Sequence, residues 1–332
     1  MMAAPVLTAF DRTLINQWQS DFPICERPFD QAAAMMAATP DTMIHRIGWL
    51  LQQGYLSRFA PMYHAERLGG HLTLVALQVD EERLDEVAGF INSWPEVSQH
   101  YVRDHRFNLW FVLATETLQR QADVLAAIEA STGCLLLNLP KLAEFHIGFR
   151  LRIGQDSVDT VACPSPPAPL ANGQMISATE RALITATQQG LPLVDRPYHA
   201  IANALDLPVV TVTTTLQQWL ANGMIRRIGV VPNHYRLGLT ANAMTVWDVA
   251  DDRVAELGQQ LGALGFVTHC YHRPRRPPHW PYNLFAMVHG HDRATVTGRI
   301  GQMQQLLSPW LGHADVLYSQ RILKKTGFRL AS

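Results

Sequence analysis

Cysteine is scarce and dispersed in this 332-residue chain: Cys25, Cys134, Cys163 and Cys270 share no Cys-x-x-Cys spacing. That argues against a disulfide framework and a thiolate zinc site, and reduced thiols in a reducing compartment are expected. Long apolar runs are missing too. Nothing approaches the roughly 18 residues needed to span a bilayer, and the opening MMAAPVLTAFDRTLINQW has no basic region leading into an apolar core. A cytoplasmic protein without a membrane partner is therefore expected. A surplus of either charge is also lacking, with 27 Lys and Arg against 28 Asp and Glu and a net charge of −1. Duplex-binding proteins carry a basic excess, so nucleic acid is not the expected partner. Nor is there a phosphate-cradling glycine loop, a Ser-His-Asp spacing or a metal-ligand motif. What is present is ordinary for a folded chain, 48% hydrophobic and 17% charged residues, over a length that calls for at least two cores.

The chain repeats itself. FPICERPFDQAAAMM near the start and LPLVDRPYHAIANAL later align at an offset of 169, which sets Pro23, Arg27, Pro28 and Ala33 on Pro192, Arg196, Pro197 and Ala202. The same offset carries Leu51, Gly54 and Arg58 onto Leu220, Gly223 and Arg227, and Arg67, Leu68 and Gly69 onto Arg236, Leu237 and Gly238. Farther on the register drifts. Val97, Tyr101 and Arg103 match Val267, Tyr271 and Arg273 at offset 170, and Asn108 and Leu109 match Asn283 and Leu284 at offset 175. Gly148-Phe149-Arg150-Leu151 matches Gly327-Phe328-Arg329-Leu330 at offset 179, so the second copy carries insertions, a five-residue one inside RPRRPPHWPYN. Between the copies, four prolines within residues 163–169 read as a stiff, extended linker.

Each copy opens with helical periodicity. In the first, Pro40 and Asp41 start the helix TMIHRIGWLLQQ and Gly54 caps its end. The strands YLSRFAP and HLTLVALQV follow, and three helices with a hairpin wing give the winged-helix order. The remainder alternates: HLTLVALQV, the amphipathic helix EERLDEVAGFINSW, the strand pair VSQHYVRD and NLWFVLATE, the helix LQRQADVLAAIEA, and the strand CLLLNLP. That β-α-β-β-α-β order is the ferredoxin-like sandwich, and the second copy repeats it from ANAMTVWDV to ADVLYSQRILKK. The expected class is α+β, a tandem duplication of winged helix-turn-helix plus ferredoxin-like sandwich. The boundaries expected are 1–70 and 71–154 for copy one, a linker at 155–176, and 177–239 and 240–332 for copy two. The resemblance is to the Lrp/AsnC family of bacterial regulators.

DNA binding, which that resemblance implies, is poorly served by the would-be recognition helices. PVVTVTTTLQQWLANG holds no Lys or Arg, and PDTMIHRIGWLLQQG holds only Arg46 as a fixed positive charge. Phosphate neutralisation dominates duplex affinity, and Trp49 and Trp219 suit packing better than a groove.

The densest chemistry lies in HCYHRPRRPPHWPYNLF, where His269, His272, Arg273, Arg275, Arg276 and His279 fall within eleven positions. No Asp or Glu occurs from Leu257 to His291, so the segment favours an anion, and Trp280 and Tyr282 beside it suggest a flat apolar body. Strand alternation places Val267, His269, Tyr271 and Arg273 on one face and Thr268, Cys270 and His272 on the other. Copy one mirrors the segment in QHYVRDHRFNLWF, with His100, Tyr101, Arg103, His105 and Arg106.

These two segments resemble the signature regions of the sirohaem decarboxylases, an Lrp/AsnC-derived family with two homologous partners. Copy one is similar to the first partner through Tyr101, Arg103, His105, Phe107, Asn108 and Trp110. Copy two is similar to the second through its Cys-Tyr-x-Arg-Pro and Trp-Pro-Tyr-Asn-Leu-Phe patterns. The fused form resembles the version of the d1-haem pathway in denitrifying bacteria. One departure is that Gln99-His100-Tyr101 stands where the first partner often has His-Asn-Tyr. The resemblance implies a carboxy-lyase that turns two acetate side chains of sirohaem into methyls, giving 12,18-didecarboxysirohaem, with no cofactor beyond the substrate's iron. A histidine or tyrosine is expected to donate the proton while arginines fix the carboxylate, His269 and His105 first, with Tyr271 and Arg273 as helpers. Substrate contacts are expected from Arg275, Arg276, His279, Trp280, Tyr282, Asn283, His272, Arg103 and Tyr101, since arginines clasp carboxylates and aromatics cover ring faces. The iron falls to His269, His272 or His279, a choice left open. The alternative function is a haem- or tetrapyrrole-responsive regulator. Sandwiches of this kind pair through their sheets, so the halves are expected to pair within the chain, with a further homodimer left open.

Overall fold

The computed structural model describes residues 7–161 and 176–325. Both copies start alike. Helix α1 (Ala9–Trp18) is capped by Thr8 and Asp11 in a reciprocal box. Its counterpart α6 (Ala178–Thr187) is capped the same way by Ser177 and Glu180, offset again by 169. Proline opens α2 (Pro28–Ala34) and α7 (Pro197–Ala204), where its missing N–H costs nothing. The third helices, α3 (Pro40–Gln52) and α8 (Val209–Ala221), run out at Gly54 and Gly223, whose φ values of 75° and 77° favour glycine.

The wing differs from expectation. Strand β1 (Leu56–Tyr63) does not fold back on the following strand; it pairs antiparallel with β9 (Ile225–Pro232), its own repeat counterpart, as in Phe59↔Val230 and Ala60↔Gly229. The reason lies in β2 (His71–Gln78), which is flanked on both sides by β4 (Leu109–Thr115) and β5 (Leu135–Pro140) and so offers β1 no free edge. The two winged-helix segments thereby share one core, including Leu14, Phe29, Ile47, Phe59, Tyr198 and Leu216.

The sandwiches follow the expected order. In copy one, β2 leads to α4 (Leu84–Ser93), β3 (Val97–Arg103), β4, α5 (Leu118–Thr132) and β5. In copy two, β10 (Ala241–Val249) leads to α9 (Val254–Gly262), β11 (Val267–His272), β12 (Leu284–Gly290), α10 (Arg293–Leu307) and β13 (Leu311–Lys325). Within each, the sheet runs last-first-third-second, and the two join edge to edge because β13 pairs with β10 through its first half and with β3 through its second. At the far end β6 (Ala143–Ile147) adds to β11. The outermost strands, β5 and β6, are consecutive across Lys141–Leu142, so the nine-stranded sheet is drawn round until its ends meet. Helices cover its outside in two cores. Inside lies a core built from both copies: Ala76, Phe107, Trp110, Leu137 and Leu139 meet Met244, Val246, Trp280, Phe285 and Leu317.

The segment read as linker from 155 begins as structure. Residues Val158–Val161 form β8, paired with β7 (Arg150–Ile153), and Leu151 and Ile153 are buried under α1 with backbone bonds to Gln19 and Asn16. Apolar alternation in Arg150–Ile153 outweighs the polar turn that follows. The prolines and Cys163 lie outside the described residues, as do Gly327–Leu330.

Candidate active site

On β11 the register slips between Val267 and His269. The bulge leaves Val267 with Cys270 in the helix-side core, while His269, Tyr271 and Arg273 share the other face. The rings of His269 and Tyr271 lie 6.1 Å apart, and the Arg273 guanidinium sits 5.2 Å from the Tyr271 ring. The expected placement of Val267 on that face is thus corrected by one inserted residue, and the other three converge as expected.

Residues from both copies surround this trio. Glu144 on β6 pairs across from Tyr271. The Lys141 ammonium donates to Glu66 Oε2 at 2.5 Å and Glu144 Oε2 at 2.7 Å, with the Tyr271 ring 5.8 Å away. Arg226 of β9 approaches Glu144 Oε1 at 3.6 Å, and His64 Nδ1 lies 3.9 Å from Glu66. Burial would raise the Glu144 carboxyl, but Arg226 and Lys141 together hold it below its ordinary range. Burial, with Arg226 next, pushes His269 down to about 4 and His64 down to about 3, so both rings are neutral near pH 7. Tyr271 is pushed upward by burial and stays a phenol. Donor atoms of His64, Glu66 and Glu144 lie within 4.8 Å of one another; the Lys141 ammonium between the two carboxylates takes the place a cation would fill.

The pseudo-symmetric position in copy one keeps part of the set. The Arg103 guanidinium lies 5.5 Å from the Tyr101 ring, and Lys325 lies over Tyr235 at 5.1 Å. Register shows the difference: Gln99 opposite Val112 stands where His269 opposite Met287 stands in copy two. Tyr101 donates to Gln99 at 3.3 Å.

Several expected substrate contacts have other engagements. Arg273 Nη1 donates to Leu139 O at 2.6 Å, and its counterpart Arg103 donates to Leu317 O at 2.9 Å. Both arginines clamp the second strand of one copy to the last strand of the other, and burial lowers each to about 10. Arg275 is held by Asp248 and Asp251. The acids absent from Leu257–His291 therefore arrive from the end of β10, and the segment is less starved of negative charge than its own sequence suggests. Arg276 donates to Asn138 O. Asn283 bonds the backbone of Val249 and Asn108 does the same at Val79, so both hold the end of a first strand. Trp280 is fully buried against His105, Phe107 and Trp110. Tyr282 packs edge-on to Trp280 at 4.8 Å, His272 lies by Asp251 and Arg275, and the His279 carbonyl accepts from Arg106. His105 is not brought to His269: its Nδ1 accepts the Phe107 N–H at 3.0 Å and its Nε2 lies 3.5 Å from Asp315. The residues that sequence reasoning missed are Lys141, Glu144, His64, Glu66 and Arg226; they come from three separate stretches of the chain and form no motif.

The chain matches two family models, each twice: an AsnC-like ligand binding domain over residues 67–146 and 236–324, and a Siroheme decarboxylase NirDL-like HTH domain over 11–56 and 180–226. It is 31% identical to the Siroheme decarboxylase NirDL subunit of Paracoccus denitrificans, over 97% of both chains. A crystal structure of a siroheme decarboxylase NirDL superposes with a TM-score of 0.73 at 28% identity, covering 97% of this chain and 94% of that one. A second, in co-complex with an iron-uroporphyrin III analogue, gives 0.69 at 27% identity, covering 96% and 92%. Two copies of both modules, matched end to end at that identity, mean that this chain belongs to the sirohaem decarboxylase family.

Proposed function

We propose that this chain is a carboxy-lyase acting on sirohaem, converting two acetate side chains to methyl groups as in 12,18-didecarboxysirohaem of d1-haem formation. In each step the bond to the carboxylate breaks, CO2 leaves, and the remaining methylene takes up one proton. The observation that carries the reading is the side-chain cluster around β11, in a chain of this family. There His269 and Tyr271 stand among Arg226, Lys141 and Arg273, which outnumber Glu66 and Glu144. A pigment edged with carboxylates finds cations there, and the histidine is the group whose proton reaches the vacated carbon. Arg273 shapes the wall that holds Tyr271. His269 is the first choice for the iron or the proton because it is the one of His269, His272 and His279 inside that cluster.

The regulator reading is less supported. Arg46, the fixed charge of α3, is taken by buried Asp11 through two bonds of 2.8 Å, leaving that helix no cation for phosphate. Anaerobic incubation with sirohaem followed by mass spectrometry tests the proposal. Loss of two CO2 from the pigment is expected; pigment bound and returned at its original mass would overturn it.

A further inference from the structure

A line of buried polar groups runs away from His269 into copy two. Its Nδ1 lies 3.0 Å from Thr268 Oγ1, Thr268 Oγ1 lies 2.9 Å from His289 Nε2, and His289 Nδ1 meets Asn242 Oδ1. Thr268, His289 and Asn242 are 1%, 5% and 2% exposed, so water does not compete for these bonds. The line has a direction. Asn242 Nδ2 donates to Leu239 O at 3.1 Å and Thr240 O at 3.3 Å; a flipped amide would aim its oxygen at two carbonyls. Oδ1 therefore accepts, and His289 Nδ1 carries a hydrogen. Burial with neighbouring His234 and His269 keeps the His289 ring neutral, so its Nε2 is a lone pair and the Thr268 hydroxyl donates to it. The hydroxyl's approach to Met287 O is longer, 3.4 Å. The Thr268 oxygen then accepts from His269 Nδ1–H.

We infer that Asn242, His289 and Thr268 are positioning residues that fix His269 in its Nδ1–H form, leaving Nε2 as the bare nitrogen offered to the tetrapyrrole. The inference rests on the reading of His269 as the reacting group of the sirohaem site. Among the described residues Nε2 has no hydrogen-bond partner of its own. A bare Nε2 can receive the proton it then delivers or can meet the substrate's iron; the other tautomer can do neither without first losing a hydrogen. The duplication supplies an internal control. Asn242 pairs with His289 where Leu72 pairs with Ala114, and Thr268 and His269 stand where Ser98 and Gln99 stand. The whole line exists in one copy only, and it ends on the histidine that the other copy lacks.

Long-range proton–nitrogen correlation on the full chain, labelled with 15N-histidine and free of substrate, reads the tautomer directly. The His269 signals are those lost in His269→Gln. The wild type is expected to show Nδ1 protonated and Nε2 bare. Thr268→Val should bring in the Nε2–H form and lower kcat by about 10–100-fold with KM within about twofold. Asn242→Leu should act in the same direction. Thr268→Ser, which keeps the hydroxyl, should restore both readouts and decides the case if Thr268→Val fails to fold. An Nε2–H His269 in the wild type, or an unchanged tautomer in a folded Thr268→Val or Asn242→Leu, overturns the inference. Because the spectrum needs no pigment, a failure of decarboxylation would leave the tautomer result standing and count against the proposed function alone.

Discussion

Burial holds the His269 imidazole at about 4, with Arg226 adding to the effect, so the free protein carries it uncharged at neutral pH. A carboxylated ligand arriving beside it favours the protonated ring and raises that value. With His269 as the donor, kcat falls as pH rises through the pKa of the complex, which lies above 4, and His269→Ala loses about 10²–10⁴-fold in kcat together with that pH dependence. His105→Ala should cost stability instead, since its ring stacks on Phe107 and packs edge-on to Trp280. Equal profiles for wild type and His269→Ala in stopped-time mass assays would remove the donor role. Other buried histidines set a second pH effect. His64, His100 and His234 are each pushed to about 3, chiefly by burial, against about 6.5 in an unfolded chain. Because the folded values are the lower ones, their contribution is complete above about pH 6.5 and is lost as pH falls toward about 3. Melting temperatures taken at pH 7.5, 6 and 5 should fall in that order; a flat series would mean these rings are not neutral in the fold.

Elements show how far a sequence can be read and where it stops. The helix start at Pro40, the cap at Gly54 and the β-α-β-β-α-β order were legible because each rests on local pattern. Partners were not. YLSRFAP reads as a strand but does not say that its neighbour is 169 residues away, and the basic run at Arg273–Arg276 does not announce Asp248 and Asp251. At the site, His269, Tyr271 and Arg273 were legible from one strand, whereas Lys141, Glu144 and Arg226 reach it only through the pairing of β6 with β11 and of β9 with β1. Two elements carry predictions. Arg46 on α3 is 29% exposed and Asp11 fully buried, so Arg46→Ala strands a buried carboxylate at a cost of about 3 kcal/mol. Denaturant unfolding should show the loss, with no change in the affinity for duplex DNA. Helix α9 lies on β6 through glycine: a Cβ at Gly258 would meet the Phe145 ring at 2.1 Å, and one at Gly262 would meet His146 Cβ at 2.8 Å. Gly258→Ala should therefore destabilise by roughly 1–3 kcal/mol and raise KM, because Glu144 and Lys141 move with β6. An unchanged KM in a destabilised variant would detach that edge from ligand binding.

At the scale of the whole chain, the two halves are held by seams that do not need the connection between them. β1 pairs with β9, β3 with β13 and β6 with β11, each pair crossing from one copy to the other. Trp110, Phe107 and Trp280 then close a core that neither half could complete alone. The expected pairing of the sandwiches through their sheets takes place here inside one polypeptide. The side-chain cluster around β11 draws Lys141, Glu144, Glu66 and His64 from copy one and His269, Tyr271 and Arg226 from copy two, so it exists only while the seams hold. A protease site placed between residues 162 and 175 separates the covalent connection from these seams. After cutting, the fragments should elute together in gel filtration and keep kcat within about twofold, since tethering adds only an effective concentration on the order of millimolar to an interface already built from strand pairs and a shared core. Fragments that part, or that stay together yet lose turnover, would show that the connection holds the cluster in shape and that the seams do not suffice.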